Sequence, residues 1–373
     1  MKKFLFSTTA LAVAGAFAFS NDVNAAAKPI SIGVGGFMNS EAGFGSNAGS
    51  FESAAGGAED GNHAKRDSFN TVQDSEVYFT GTTKLDSGVS VSVTVQLEAD
   101  QGGGIIDESY MKLTGGLGDL RLGYVTGAAS TLKHTAPFVG INLTFGGSDN
   151  YITVPTNVTA SNSTHVSQSG DAAKISYISP RSGGLAIGVA MTPDAANAVN
   201  TAPVVGGTAS TAIQVYEAAL SFEQTMGTSS VQADIEYEHA SGTKNNTSAK
   251  LRGGVKISAG GFTVGGSLSQ QKNLAGDKKN TTNSDERSAY DIGVSYAMGD
   301  YTFGIAGATG THDVASGAED KETKWSVGAS YGGLGGGVTL TATYINADYT
   351  NSTAGVLDNN SGHAMIGQIK VAF

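Results

Sequence analysis

The 373-residue chain contains no cysteine and only six prolines, and after its first residues it has no apolar run of helix length. Without cysteine, disulfides contribute nothing, so stability must come from hydrogen bonding and packing. Scarce proline beside 53 glycines argues against collagen and against a proline-rich disordered chain. A helical membrane protein is excluded, because each helical span needs about 20 consecutive apolar residues.

The chain also has fewer basic than acidic residues. The chain has 22 lysines and arginines against 33 aspartates and glutamates, a formal net charge of −11. This balance argues against nucleic acid as a partner. Motifs for bound metals and nucleotides, such as H-E-x-x-H and the phosphate-binding G-x-x-x-x-G-K-[ST] loop, are missing as well. We therefore predict no cofactor and no metal site.

The N-terminal segment is predicted to be a secretory signal peptide. Two lysines are followed by the apolar run from Phe4 to Phe19 and then by the small residues at 25–27. A basic start, a short apolar stretch and small residues at the cleavage site are the parts of such a signal. We predict that residues 1–27 are removed on export and that residues 28–373 form a single domain.

Strict alternation of apolar and polar residues organises the remaining chain. From Val89 to Glu98 every odd position is apolar and every even position is polar. A tilted strand crosses the hydrocarbon core of a bilayer in about 9–11 residues, which is the length of this segment. One face of such a strand can contact lipid while the other contacts water.

The pattern recurs about sixteen times, with tight glycine-containing turns alternating with longer polar stretches. Short turns on one rim and long loops on the other are typical of a transmembrane barrel, and an even strand number allows antiparallel closure. The fold class predicted is therefore all-β, a transmembrane antiparallel barrel of about 16 strands. The longer stretches are residues 40–70, 126–170, 193–212, 273–287, 312–323 and 349–361.

A soluble β-sandwich would also alternate, but the polar faces here argue against it. The face carrying Lys250, Arg252 and Lys256 is rich in glycine, serine and charge. We interpret this face as the hydrated wall of a lumen. The last strand alternates up to the terminal Phe373, which suits a strand that closes the barrel against residues 29–39.

Several segments resemble the Gram-negative general porins. The resemblance is carried by residues 107–113 (DESYMKL), by the continuation at 115–123 (GGLGDLRLG), by 174–181 (KISYISPR) and by the Phe373-terminated strand. It extends over essentially the whole chain after residue 27. It implies a sixteen-stranded barrel in the outer membrane, usually a homotrimer, that admits small polar solutes.

The resemblance also implies that a third external loop, here residues 126–170, folds inward and constricts the lumen. In such porins a basic cluster on the wall faces acidic groups on this loop. The candidate residues by position are Arg121 and Lys112 on the wall, Lys250 and Arg252 as further wall residues, and Asp149 and Lys133 on the loop. Asp149 is the only acidic loop residue of this set, which departs from the expected pattern.

Three alternatives to passive diffusion remain open from the sequence. A ligand-specific channel would use loop aromatics such as Phe138, Phe145 and Tyr151 as a binding track. A barrel enzyme would use Ser330 in the G-x-S-x-G sequence at 328–332, although that motif needs a strand-to-helix turn and here falls in an alternating strand. A surface adhesin would bind without conducting ions.

Overall fold

A computed structural model describes residues 29–52, 68–100, 105–144, 146–166, 168–195, 213–241, 247–273, 286–314, 318–352 and 358–373. Residues 1–27, for which we predict a signal peptide, lie outside these ranges, as does Phe145. Within the described residues no helix is long and apolar enough to cross a membrane.

Sixteen antiparallel strands form one closed barrel in which each strand pairs with its neighbours in sequence and β1 pairs with β16. This confirms the predicted fold class and strand number. The strands are β1 Ser31–Ser46, β2 Phe69–Lys84, β3 Ser90–Glu98, β4 Ile106–Gly115, β5 Gly118–Tyr124, β6 Ala173–Ile178, β7 Leu185–Thr192, β8 Gln214–Met226, β9 Ser229–Ser241, β10 Ser248–Ala259, β11 Phe262–Asn273, β12 Glu286–Met298, β13 Tyr301–Val314, β14 Ala318–Tyr331, β15 Val338–Thr350 and β16 Asn360–Ala372.

Tight turns close one rim of the barrel. Between β10 and β11 only Gly260 and Gly261 are unpaired, and their φ angles of 58° and 87° require residues without a Cβ atom. At the seam between the first and last strands, Gly36 and Phe373 exchange two backbone hydrogen bonds of 2.9 and 3.0 Å. Closure leaves no free sheet edge, which is the condition for a sheet to cross lipid.

The alternation assigns each strand two faces. On β12, Tyr290 and Ile292 are exposed on the outside while Asp291 between them is buried on the inside. On β14, Trp325 and Val327 point outward and Lys324 points inward. The outer face thus carries the large apolar side chains that contact lipid hydrocarbon.

Several strands extend further towards the long loops than the sequence predicted. The stretch 312–323 was predicted to be a loop, yet β13 continues to Val314 and β14 begins at Ala318, with His312 opposite Asp320. Strand β1 likewise continues to Ser46. These extensions carry polar residues on both faces, so the period-two signal disappears although the backbone pairing continues.

Candidate functional site

The loop between β5 and β6, residues 125–172 and called the inner loop below, lies against the inside of the barrel. Its backbone N–H groups donate hydrogen bonds to carboxylates that project inward from the wall. His134 N lies 2.6 Å from Asp234 Oδ1, and Ala136 N lies 2.7 Å from Asp291 Oδ1. Further bonds of this kind join Thr126 to Glu108, Ala129 to Glu217, Thr159 to Asp320, Asn162 to Glu322 and Gln168 to Glu238.

These bonds trace the course of the inner loop. From Ala129 to Ala136 it passes over β8, β9 and β12, and from Thr159 to Gln168 it returns over β14 to β9. The loop therefore contacts the wall from β9 to β12 twice, once on the way out and once on the way back. These hydrogen bonds join the inner loop to carboxylates on the inner face of the wall.

A buried clamp fixes the inner loop at His134. Asp234 accepts the His134 N–H, and Arg252 donates to the His134 carbonyl oxygen and to Asp234. The Arg252 Nη1 atom is also 3.3 Å from Glu236 Oε1, and the side chains of all three charged residues are fully buried. Buried charges persist only where they are paired, and here the pairing includes the loop backbone.

An apolar cluster holds the distal part of the inner loop. Ile141, Leu143, Tyr151 and Ile152 pack against inward-facing residues of β13, β15 and β16, including Ile345. Tyr151 is only 8% exposed, and Phe138 packs against the same cluster. The two described aromatics of the suggested track, Phe138 and Tyr151, therefore take part in packing.

Three of the six candidate constriction residues hold the inner loop. Arg252 belongs to the clamp. Lys250 Nζ donates to the carbonyl oxygens of Ser163 and His165, at 3.2 and 2.5 Å. Asp149 lies 2.8 Å from Lys324 Nζ on β14, so the acidic loop residue is paired away from Arg121. The sequence pattern predicts Arg252 on a hydrated face, whereas the inner loop covers it, as it also covers Lys324.

The other three candidates lie where the inner loop begins. Arg121 and Lys112 are half-buried and directly opposite each other on β5 and β4. Arg121 Nη1 donates to Thr131 Oγ1 at 3.2 Å, which places it beside the short helix Ala128–Leu132 of the loop. Lys133, also half-buried, donates to Ser130 Oγ at 2.8 Å.

The two histidines of the inner loop carry no charge at neutral pH. Burial lowers the pKa of His134 to about 4, although Glu223 nearby acts in the opposite direction. Burial also lowers the pKa of His165 to about 3, and Lys133, Arg252 and Lys250 add to the effect. Burial lowers the pKa of Lys133 as well. The two histidines therefore add no positive charge to the lumen at neutral pH.

Five carboxylates form what we call the acidic strip on the wall of β2 to β4 near the long-loop rim. The strip consists of Asp74, Glu76, Glu98, Asp100 and Asp107, none of them buried. Carboxylate oxygens of Glu76, Glu98 and Asp107 all lie within 4.8 Å of one another. Thr126 of the inner loop donates to the neighbouring Glu108 on β4, while all five carboxylates of the strip keep part of their surface exposed to water.

Two features of local structure create the acidic strip. Glu76 on β2 stands directly opposite Glu98 on β3. Between β3 and β4 the register shifts, because Val95 pairs with Ser109 but Leu97 pairs with Ile106. Residues 107 and 108 therefore both stand opposite residue 96, and this β-bulge turns two consecutive carboxylates towards the lumen.

The alternation over 89–98 predicts only Glu98 of this strip to lie on the polar face of a strand. Asp74 and Glu76 could have been found, because they alternate with the outward Val77 and Phe79. Lys324 could have been found in the same way from its neighbour Trp325. Asp107 could not, since only the bulge places it beside Glu76.

A closed barrel with lipid on its outer face, a loop fixed inside it and a wetted charged wall is the architecture of an outer-membrane channel. The family comparison agrees with this class. The Gram-negative porin family model matches residues 7–354, and the chain belongs to that family.

Solved structures with the same fold cover nearly the whole chain. An anion-selective porin from Comamonas acidovorans is 16% identical, with a TM-score of 0.61 over 92% of this chain and 100% of that one. The channel DcaP of Acinetobacter baumannii is 13% identical, with a TM-score of 0.61 over 92% and 98%. OmpT of Vibrio cholerae in its trimer form is 11% identical, with a TM-score of 0.61 over 93% and 100%.

No curated protein sequence matches the chain. The family and the fold identify an outer-membrane channel for passive diffusion. Ser330, the candidate nucleophile, lies within β14 and pairs with Thr302 and Thr341. It therefore lacks the strand-to-helix turn that the nucleophile motif requires.

A charge reversal tests the position of Arg121. Replacing Arg121 with Glu removes a cation from the lumen wall and adds an anion beside the start of the inner loop. We expect the reversal potential in asymmetric KCl to move towards cations. The measurement is a planar-bilayer recording of the variant beside the parent protein. An unchanged potential would show that Arg121 lies outside the constriction.

Proposed function

We propose that small hydrophilic solutes pass between the acidic strip and the inner loop, and that the channel prefers cations. The observation that carries this proposal is the charge of the uncovered wall. Of the two described carboxylates of the inner loop, Asp149 is paired with Lys324 and Asp171 accepts a hydrogen bond from Thr126, whereas the five carboxylates of the strip remain accessible to water. An uncovered acidic wall raises the local concentration of cations.

The arrangement of the strip supports a role in permeation. Like charges directly opposite each other across two strands are destabilising, by up to about 1 kcal/mol. The pair Glu76 and Glu98 is arranged in this way, and Asp107 adds a third carboxylate. Departures from such local rules are expected where function requires them. The basic pair Arg121 and Lys112 lies roughly 16 Å further along the wall towards the tight turns, so it moderates the cation preference without cancelling it.

Recordings from purified protein in a planar bilayer test the proposal. We expect stepwise conductance. Across a tenfold KCl gradient we expect a reversal potential of cation sign, at least about a third of the roughly 59 mV of ideal selectivity. Absence of conductance would contradict the channel itself, whereas a potential of anion sign would contradict only the proposed role of the strip. Saturable block of the current by one solute would favour a ligand-specific channel.

We further propose that the channel is a homotrimer. The outer face near the long-loop ends of β1 and β2 carries Ser40, Thr71 and Gln73, all exposed. The paired Phe44 and Phe69 lie above this polar patch, and Val34 and Phe79 lie below it. Polar residues at membrane depth are unfavourable against lipid, so contact with another copy explains them. OmpT of Vibrio cholerae, which shares the fold, has a trimer form. In the same planar-bilayer recordings, the conductance of a single inserted channel should close in three equal steps.

We also propose that the chain is exported across the inner membrane. Residues 1–27 would direct the chain across the inner membrane and be removed, leaving residues 28–373 to fold in the outer membrane. The function proposed involves no covalent chemistry, so neither a hydrolase built on Ser330 nor an adhesin is needed to explain the fold.

A further inference from the structure

Glycines on the inner face of the wall lie directly beneath the inner loop. At Gly254 on β10 an added Cβ atom would lie well within 3.0 Å of the His134 carbonyl oxygen. At Gly328 on β14 an added Cβ atom would lie equally close to the Val139 carbonyl oxygen. At Gly304 on β13 it would lie 2.6 Å from Val139 Cγ2. Loop atoms thus occupy the space that side chains would fill at these positions: backbone atoms at Gly254 and Gly328, and the Val139 side chain at Gly304.

Backbone conformation does not explain these glycines. Gly254, Gly304 and Gly328 lie within strands, and their φ angles are outside the left-handed region that favours glycine. Turn glycines such as Gly260 behave differently, because there φ is positive and an added Cβ would meet nothing within 4 Å. The inner glycines are therefore required for space, and the loop is what fills that space.

We propose that Gly304 and Gly328 are positioning residues that set the distance between the inner loop and the wall, and thereby the free cross-section of the channel. The inference rests on the proposed permeation path. The hydrogen-bonded wall of a barrel deforms little, because closely packed protein transmits strain to its neighbours. A methyl group added at either position displaces the loop in the one open direction, into the lumen. The anchored ends of the loop restrict that movement to the segment around Val139.

The experiment compares Gly328→Ala and Gly304→Ala with Gly307→Ala. Gly307 lies on β13 three residues from Gly304, and its added Cβ would meet only the Lys324 carbonyl oxygen at an ordinary 3.6 Å. We expect single-channel conductance to fall about 1.5-fold in Gly328→Ala and Gly304→Ala and to stay at the parent value in Gly307→Ala. The size limit for neutral sugars in liposome swelling should fall in parallel.

A second substitution separates loop displacement from damage to the barrel. Val139→Ala removes Cγ2, the atom closest to the new methyl of Gly304→Ala, but leaves the carbonyl oxygen that opposes Gly328→Ala. We expect Val139→Ala to restore conductance in Gly304→Ala and not in Gly328→Ala. Parent-like conductance in both glycine variants, or restoration in both double variants, would overturn the inference. Failure of the parent protein to conduct would instead contradict the proposed function.

Discussion

Replacing Arg252 with Ala is expected to destabilise the protein by about 3–5 kcal/mol, because it leaves buried charges without a partner. Asp234 and Glu236 would lose their countercharge in a site whose side chains are fully buried. The His134 carbonyl oxygen would lose its donor at the same time. The inner loop should then detach locally, so we expect noisier open-channel current together with a lower midpoint of urea unfolding.

Lys256→Ala is the matched control. Lys256 lies four residues from Arg252 on the same strand and the same face, but it is half-exposed and belongs to no buried cluster of the described residues. Its loss should cost well under about 1 kcal/mol, the range of exposed charges. Folded and unfolded barrels migrate differently on gels, so the folded fraction can be followed as the urea concentration rises. The urea midpoints of the two variants then give the difference in stability. Equal midpoints for the two variants would show that Arg252 does not hold the loop.

The strands were predictable because lipid and lumen select different side chains at successive positions. Val89–Glu98 and the segment around Tyr290 show this alternation, and the structure confirms sixteen closed strands. The strand ends near the long loops were not predictable. At His312 and Asp320, outside the apolar band, backbone pairing continues while the side chains no longer alternate.

The site was predictable only in part, because the sequence does not show what the inner loop covers. Inward-facing charged residues occupy the same alternate strand positions whether the inner loop covers them or water contacts them. Arg252 and Glu76 therefore cannot be distinguished in the sequence. The structure assigns the first to anchoring the loop and leaves the second hydrated. Abundant glycine on the inner face was interpreted as a preference for water, whereas Gly254 and Gly328 make room for the loop backbone.

When negative charge is removed from the acidic strip, we expect ion selectivity to decrease and folding stability to increase. Replacing both Glu76 and Glu98 with Gln removes two negative charges from the wetted wall and relieves a like-charge pair directly opposite across β2 and β3. We expect the cation-sign reversal potential to fall by more than about half. We also expect the barrel to become more stable, by up to about 1 kcal/mol.

Asp86→Asn combined with Asp300→Asn is the control, since it removes the same charge from exposed positions in two tight turns. This variant should leave the reversal potential near the parent value. If the Glu76 and Glu98 variant kept its cation preference, the strip would not govern permeation. If it lost both selectivity and stability, the carboxylates would be structural, comparable to those that bind the inner loop. Higher stability with lower selectivity is the combination that only a permeation role explains, because a charged wall that attracts cations also repels itself.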